Sequence, residues 1–556
     1  MTATTHAPAP APRAAAAAVP VHARPADTLA GLGVAVRLVV RRNRVRLAVW
    51  LVVLVGLFAY VGAYYTSLFT TQKALDDFAQ VSDTPGIRAL TGLAAAPNTL
   101  GGAVWTKVWM TVALALAFGV VFLVTRNGRA DEEVGRTELL RSRVLGLHAY
   151  SAASWLVCAV LSVLVGVLIA ASSVGQGLDP AGAGITGSLV LGASVTGIGL
   201  VGLGVGAVAG QVASTSRGAN ALGSAVLGIL YVLRMVGDLG DGRLTWASPV
   251  GWGQEMQPWG ADRWWPFGLL VVLAAVLVGL ATVLEAHRDH GAGLVPQRPG
   301  PAGAPVRYAT PLGLGLRLQR GPIVGWGVTM LLCALLFGSV VQSMNNLLND
   351  AGSTLPAVLR GRGIDALMAM LAGMLALVTA VFAVQSATTL RTDEGSGLVE
   401  TQLAGALSRQ RWALQRLLIP AVGGALLLAV GGGLTGASYG ATVHDASWTG
   451  RMAIAALVYW PAVMVLVGIA VLLFGWLPRL AISLTWGLLA AMWFVMLIGD
   501  ALHLPAWVLD VLPFSATPYL PFAPMHWTPV VVMTAVAAVL VWAGVDRFAR
   551  RDVVPG

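Results

Sequence analysis

The sequence has few charged residues for its length, and this scarcity excludes a soluble protein. Only 11% of its 556 residues are charged, whereas about 25% are charged in a typical soluble domain. Hydrophobic residues make up 57% and the mean hydropathy is +0.76. A single hydrophobic core cannot bury so many apolar residues, because cores stop growing near roughly 250–300 residues. Twelve helices of about 20 residues would use roughly 240 positions. We therefore predict an all-α polytopic membrane protein.

Cysteine and lysine are also scarce, and their positions exclude several kinds of site. The two cysteines, Cys158 and Cys333, lie in apolar runs and support neither a disulfide framework nor a thiolate metal site. Neither lysine, Lys73 nor Lys107, follows a glycine as the phosphate-binding loop of an ATPase requires. Motifs of metalloproteases and serine hydrolases are missing too. We predict that this chain is not an enzyme and holds no metal and no cofactor of its own.

Twelve apolar stretches, in two groups of six, follow an Ala/Pro-rich segment that we interpret as a disordered cytoplasmic tail (1–27). The first module (28–285) contains stretches at about 45–68, 101–124, 148–173, 185–211, 220–236 and 265–285. A cytoplasmic linker (286–321) precedes the second module (322–556), with stretches at about 322–342, 366–390, 413–437, 450–474, 481–499 and 529–545. We expect each stretch to span the membrane once.

Charge asymmetry predicts the orientation. Most of the 35 Lys and Arg residues fall in segments that are cytoplasmic if the N-terminus is inside, which satisfies the positive-inside rule. Both termini are then cytoplasmic. The net charge of +10 is spread over short loops, whereas nucleic-acid binding needs a contiguous basic face. We expect the lipid bilayer, and no nucleic acid, as a partner.

A cluster of arginines precedes the first apolar stretch. Arg37, Arg41, Arg42 and Arg44 lie beside valines and leucines at helical spacing. This pattern is typical of a helix lying in the interface of the anionic inner leaflet. It is equally consistent with a basic stop before the first span, and both interpretations stay open.

The two modules are related by sequence. Residues of the same type recur at an offset of 262 or 263, and the pairs include Asp131 with Asp393, Glu132 with Glu394, Gly135 with Gly397, Glu138 with Glu400, Arg217 with Arg479 and Arg288 with Arg551. Because each module has an even number of spans, both enter the membrane in the same sense. We predict parallel six-helix repeats related by a pseudo-two-fold axis along the membrane normal, with a central pathway.

The densest charged motif follows the second span and recurs after the eighth. Its first copy contributes Asp131, Glu132, Glu133, Gly135, Arg136 and Glu138, and its second contributes Asp393, Glu394, Gly397 and Glu400. A single copy is most simply a solvated loop whose charges set the topology. Two copies at matched positions, both acidic where topology needs only arginine, favour a pair of docking handles for a symmetric cytoplasmic partner.

The first copy, R-x-D-E-E-x-G-R-x-E over 129–138, resembles the corresponding segment of permease subunits of actinobacterial ABC exporters, nearest to the tetronasin or polyketide-antibiotic transporters. The degenerate copy at 391–400, the proline-rich linker near 296–299 and the Arg-Arg-Asp at 550–552 extend the resemblance. It implies that the two segments are coupling helices seated in a separately encoded ATPase homodimer, which carries the ATP and Mg²⁺. It also implies multidrug or antibiotic efflux, with a hydrophobic or amphipathic small molecule as cargo.

Two other functions are weighed against this one. A proton-coupled secondary transporter of 6+6 architecture would need a buried carboxylate near mid-span, and no stretch shows one clearly. A membrane-embedded lipid or glycan transferase would need a clustered acidic or histidine site at an interface, which is also missing. Arg234 and Asp238, four residues apart, are predicted to pair with each other. Gly202, Gly206 and Gly210 are predicted to pack closely against a neighbouring helix.

Overall fold

The computed structural model describes residues 28–553, except 84, 142–144, 181, 183, 290, 296–302, 304, 351–356 and 499–511. Regular structure in these residues is helical. The chain forms two compact units that divide after residue 298. The all-helical membrane fold is thereby confirmed, whereas the repeat symmetry stays a prediction.

In its described residues the first unit contains twelve α-helices, six of them long. In chain order they are α1 Leu32–Leu68, α2 Gln72–Ser82, α3 Pro85–Thr91, α4 Leu100–Val104, α5 Met110–Asn127, α6 Arg129–Glu133, α7 Arg136–Arg141, α8 Ala149–Gly175, α9 Thr186–Val212, α10 Ser216–Leu239, α11 Pro249–Gln254 and α12 Trp265–Ala286. A π-helical turn, Trp105–Trp109, joins α4 to α5 into one span.

The second unit is built from eight helices in its described residues. They are α13 Pro311–Asp350, α14 Ala357–Gly395, α15 Leu398–Leu403, α16 Arg409–Val443, α17 Ser447–Leu457, α18 Trp460–Trp476, α19 Ala481–Ile498 and α20 Trp527–Arg550. The helices α17 and α18 follow one another as one span. Residues such as Trp412, Leu428, Met452 and Phe548 form its buried core.

Eleven helical segments in the described residues are long and apolar enough to cross a membrane. They coincide with eleven of the twelve stretches predicted from the sequence. The twelfth stretch corresponds to α19, whose described apolar part, Ala481–Val495, is shorter than the other eleven segments. Hydropathy locates the spans well because a helix in a bilayer must be apolar along its own length.

The helix α9 lies at the centre of the first unit, packed between α5, α8 and α12. A Cβ added to Gly202 would lie 2.7 Å from the Cα of Ala117 on α5, and one added to Gly206 would lie 3.0 Å from the Cα of Val121. Close packing at these two glycines is confirmed. Gly210 differs, because nothing lies within 4 Å of its added Cβ.

The first helix is continuous through the arginine cluster. It runs for 37 residues without a break, so at 1.5 Å per residue it is about 56 Å long. The hydrocarbon core of a bilayer is only about 30 Å thick. The helix is therefore longer than the hydrocarbon requires, and its arginine-bearing part is continuous with the first span. A separate helix ahead of the span does not occur in the described residues.

The predicted pair of Arg234 and Asp238 is confirmed, at the far end of α10. Arg234 Nη1 lies 2.9 Å from Asp238 Oδ2, and both side chains are buried. Arg234 Nη2 also donates to the carbonyl of Ala89 at 2.7 Å, and Asp238 accepts from Thr245 and Gln254. Each charge thus has its counter-charge inside the protein, and these bonds connect α10 to α3, to α11 and to the turn at Thr245.

Candidate functional site

The first acidic motif forms two short helices at the end of the second span. Gly128 ends α5, α6 follows, and α7 begins after Gly135. Gly135 has a φ of +68°, a left-handed conformation that glycine adopts without steric cost. The motif is thus a compact double turn of helix.

Asp131 holds this turn against two spans. Its carboxylate pairs with the Arg42 guanidinium of α1, with Arg42 Nη2 donating to Oδ1 at 2.6 Å. The Tyr150 hydroxyl of α8 donates to Oδ2 at 2.8 Å, and Arg136 lies 3.2 Å away. With 1% of its side chain exposed, Asp131 cannot reach a partner protein, and its role is to position the turn.

Glu132 is bracketed by two buried arginines. Arg129 Nη1 lies 3.0 Å from Glu132 Oε2, and Arg288, which follows α12, donates to both carboxylate oxygens at 2.5 and 2.9 Å. Arg129 also donates to the carbonyls of Gly210 and Ala292. The i,i+4 pair of Glu132 with Arg136 that helical spacing favours does not form, because Arg136 turns to Asp131 instead.

The second unit repeats this bracket with the same residue types. Arg391 Nη1 lies 3.1 Å from Glu394 Oε2, and Arg551, which follows α20, donates to the two oxygens of Glu394 at 2.6 and 2.9 Å. Glu394 is fully buried. Each unit therefore contains one carboxylate between an arginine three residues earlier and an arginine after its last helix. Arg288 and Arg551 belong to the offset pairs found in the sequence.

The backbone of the two copies differs. Asp393 and Glu394 lie in the last turns of α14, which continues to Gly395, whereas α5 is interrupted at Gly128 before the first acidic residues. Position 390, the counterpart of Gly128, is a leucine and continues the helix. Asp393 pairs with Arg416 of α16, the third span of its unit, whereas both the first and the third span hold Asp131.

Other residues of the two motifs face outward. Glu138 and Glu400 are exposed, and so is Arg136. Glu133 is exposed too, but it accepts hydrogen bonds from the backbone N–H of Ser216 at 2.8 Å and from its hydroxyl at 2.6 Å, at the positive end of α10. A partner could contact Glu138 and Glu400 without breaking an internal bond of a buried acid, whereas Arg136 is engaged with Asp131.

The arginines of α1 divide in the same way. Arg37, Arg41 and Arg44 are exposed, whereas Arg42 turns inward to Asp131. About two turns of one helix therefore present charges to two environments. The three outward arginines are suited to anionic lipid headgroups, and Arg42 belongs to the internal network.

Two comparisons with known proteins bear on the identity of the chain. Residues 308–549 match the family described as "Multidrug efflux system permease Rv1217c, C-terminal domain". The chain is 34% identical over 524 residues to the multidrug efflux system permease protein Rv1217c of Mycobacterium tuberculosis strain H37Rv, covering 93% of this chain and 94% of that protein. The chain belongs to this family of multidrug efflux permeases. A transport permease agrees with the prediction that the chain is not an enzyme.

Three functional features of this permease were missed from the sequence. The partners Tyr150 and Arg416 lie on other spans, and no local pattern connects them to the motifs. The offset pairs include Arg288 and Arg551, but the offset alone does not show that they pair with Glu132 and Glu394. Some acidic residues of the two motifs are buried and others are exposed, a difference that composition alone does not reveal.

Proposed function

We propose that this permease is the membrane subunit of an ATP-driven exporter of the tetronasin or polyketide-antibiotic transporter type. Residues 129–141 and 391–403 act as its two coupling segments and dock on a separately encoded ATPase homodimer that binds ATP and Mg²⁺. The cargo is a hydrophobic or amphipathic small molecule that leaves from the cytoplasm or the inner leaflet. Both termini and both coupling segments face the cytoplasm.

The observation that carries this proposal is the buried bracket that occurs in each unit. Glu132 is tied to Arg288, and Glu394 to Arg551, so each coupling segment is joined to the last helix of its own unit. A segment attached in this way moves with its unit as a rigid body, which is what transmission of a motion requires. A solvated loop that only sets topology would need no such attachment.

The exposed residues support the same function. Glu138 and Glu400 lie beside these rigid brackets and have side chains free to meet a basic groove. The absence of a phosphate-binding loop in this sequence agrees with an ATPase on another chain. The named efflux role of the Mycobacterium tuberculosis relative supports export.

We expect Glu138→Ala combined with Glu400→Ala to abolish most cargo-stimulated ATP hydrolysis by the permease reconstituted with its ATPase. Both glutamates are exposed, so protein yield and thermal unfolding should not change. The measurement is ATP turnover with and without cargo, together with co-purification of the ATPase. Asp241→Ala combined with Asp445→Ala is the matched control, because these aspartates are equally exposed at the opposite ends of their units.

Normal export by the glutamate variant would show that these segments are not the contact. Export that continues after ATP depletion and stops when the proton gradient is collapsed would instead indicate a secondary transporter. The glutamate variant thus tests where the ATPase binds, and the depletion experiment tests whether ATP drives export.

A further inference from the structure

A cavity of about 390 Å³ lies in the first unit, between α1, α5 and the start of α10. It is at the arginine-rich end of this unit, the end that carries Arg42, Arg129 and Arg288. Its polar wall includes Arg46 of α1 and Arg126 of α5, and its apolar wall includes Trp50, Phe122 and Leu123. The cavity therefore combines positive charge with an aromatic surface.

The two arginines of the cavity lack anionic partners. Among the residues that the structure describes, neither Arg46 nor Arg126 forms an ion pair or a side-chain hydrogen bond, and the Nε of Arg126 is buried without an acceptor. Neighbouring arginines behave differently, since Arg42, Arg129 and Arg288 are all paired. Buried polar groups are nearly always satisfied, so the buried Nε of Arg126 beside the cavity indicates a missing acceptor, and the exposed Arg46 adds a second positive charge to the same wall.

The nearby carboxylates are already committed. Asp131 is engaged by Arg42, Tyr150 and Arg136, and Glu133 is engaged by Ser216. No described acid is left to neutralise the cavity. An external anion is the group that would complete it.

The apolar wall is shaped for a hydrophobic body. Trp50 lies against Gly119, where an added Cβ would be 2.8 Å from the indole ring, so only glycine leaves room for the tryptophan. Phe122 is 42% exposed beside it. An apolar chain or ring lying over these two side chains would remove aromatic surface from solvent or lipid headgroups.

We propose that this cavity binds an amphipathic anion, with its carboxylate or phosphate on Arg46 and Arg126 and its apolar body against Trp50 and Phe122. Arginine is suited to either anion because its planar guanidinium can donate two parallel hydrogen bonds. If the anion is the cargo, the site rests on the proposed function and restricts the cargo to molecules with one anionic group. If the anion is a lipid, the ligand is an anionic phospholipid of the facing leaflet.

The test uses the full-length permease in nanodiscs of zwitterionic phosphatidylcholine. Dodecyl phosphate and dodecyltrimethylammonium are the probes, because they share a chain length and differ in the sign of their charge. We expect dodecyl phosphate to bind at least about tenfold more tightly than the cation, since the phosphate accepts charged hydrogen bonds from the two arginines and the cation is repelled by them. Isothermal titration calorimetry gives both dissociation constants. Equal affinities would overturn the proposal.

Variants locate the site. Arg126→Gln and Arg46→Gln should each weaken dodecyl phosphate binding by about tenfold or more, and Arg126→Lys should recover part of it. Arg46 is exposed, so its replacement keeps the test informative if Arg126→Gln unfolds. Arg44→Gln is the matched control, because Arg44 is exposed on the same helix but outside the cavity. If Arg44→Gln weakens binding as much as Arg46→Gln, the proposal is wrong.

A competition arm distinguishes the two sources of the anion. Phosphatidylglycerol is added to the nanodiscs as the competitor. If it displaces dodecyl phosphate from the wild type, and the R126Q variant no longer shows this competition by the lipid, the anion is a lipid headgroup. If dodecyl phosphate binds through Arg126 and the lipid does not compete, it is a free amphipath. Binding needs no ATPase, so failure of the coupling experiment above would leave this result intact, and the reverse also holds.

Discussion

At the scale of single residues, the most consequential groups are Glu132 and Glu394. Each is a buried carboxylate between two arginines. A buried ion pair is weak support for stability when compared with an apolar replacement, but removing one member leaves an uncompensated charge and costs about 3–5 kcal/mol. These glutamates are therefore more sensitive to mutation than their exposed neighbours.

We expect Glu132→Gln to lower the free energy of unfolding by about 3 kcal/mol or more, because Arg129 and Arg288 would both stay buried without a counter-charge. Glu394→Gln should have a similar effect through Arg391 and Arg551. The measurement is thermal unfolding of the purified permease. Glu138→Gln is the control, and its effect should fall within about 0.5 kcal/mol because surface substitutions rarely do more. Equal effects at Glu132 and Glu138 would contradict the buried bracket.

At the scale of elements, close crossings of helices decide where small residues are needed. The α9 helix passes α5 at Gly202 and Gly206, and α8 passes α9 at Gly166 and Gly192, where an added Cβ would meet backbone atoms within 2.4 Å. Backbone cannot move aside as the end of a flexible side chain can. The glycines of α9 therefore differ in importance although their sequence spacing is the same.

We expect Gly202→Ala to destabilise the permease by about 1–3 kcal/mol, the usual cost of overpacking a tight core. Gly210→Ala should be neutral or stabilising by up to about 1 kcal/mol, because alanine favours helix and its methyl group meets nothing within 4 Å. Thermal unfolding of the two variants, prepared side by side, gives the comparison. If the Gly210 variant loses as much stability as the Gly202 variant, α9 is not packed more tightly at Gly202 than at Gly210.

Elements also explain why the acidic motifs were predicted only in part. The start of a new helix after Gly128 could be read from the sequence, since glycine interrupts the span and acidic residues favour a helix N-terminus. In the second copy α14 continues past the same point. The difference arises from Leu390, a good helix former, and it places Asp393 and Glu394 at the end of a helix.

At the scale of the whole molecule, the orientation in the membrane connects the site to its function. Glu138 and Glu400 must both face the cytoplasm if they meet one ATPase dimer. Asp241 and Asp445, at the far ends of α10 and α16, should then face outside. This arrangement follows from the positive-inside rule and the parallel sense of the two modules.

We expect a membrane-impermeant maleimide to label Asp241→Cys and Asp445→Cys in intact cells. Glu138→Cys and Glu400→Cys should react only after the membrane is permeabilised. The background should replace Cys333, while Cys158 is fully buried. Labelling is followed by gel shift. Reaction of Glu138→Cys and Asp445→Cys from the same side would exclude the parallel arrangement and a shared ATPase dimer.

The sequence by itself determined the helical membrane fold, the positions of the spans and the recurrence of the acidic motif. These depend on apolar runs and on residue spacing, which are local properties. Only the tertiary structure decided which charges are buried and which are available. Asp131 meets Arg42, which is 89 residues away, and Glu132 meets Arg288, which is 156 residues away, whereas Arg126 forms no ion pair with an acid among the described residues. Such pairings depend on how spans cross, and a side chain's own neighbours in sequence do not specify that.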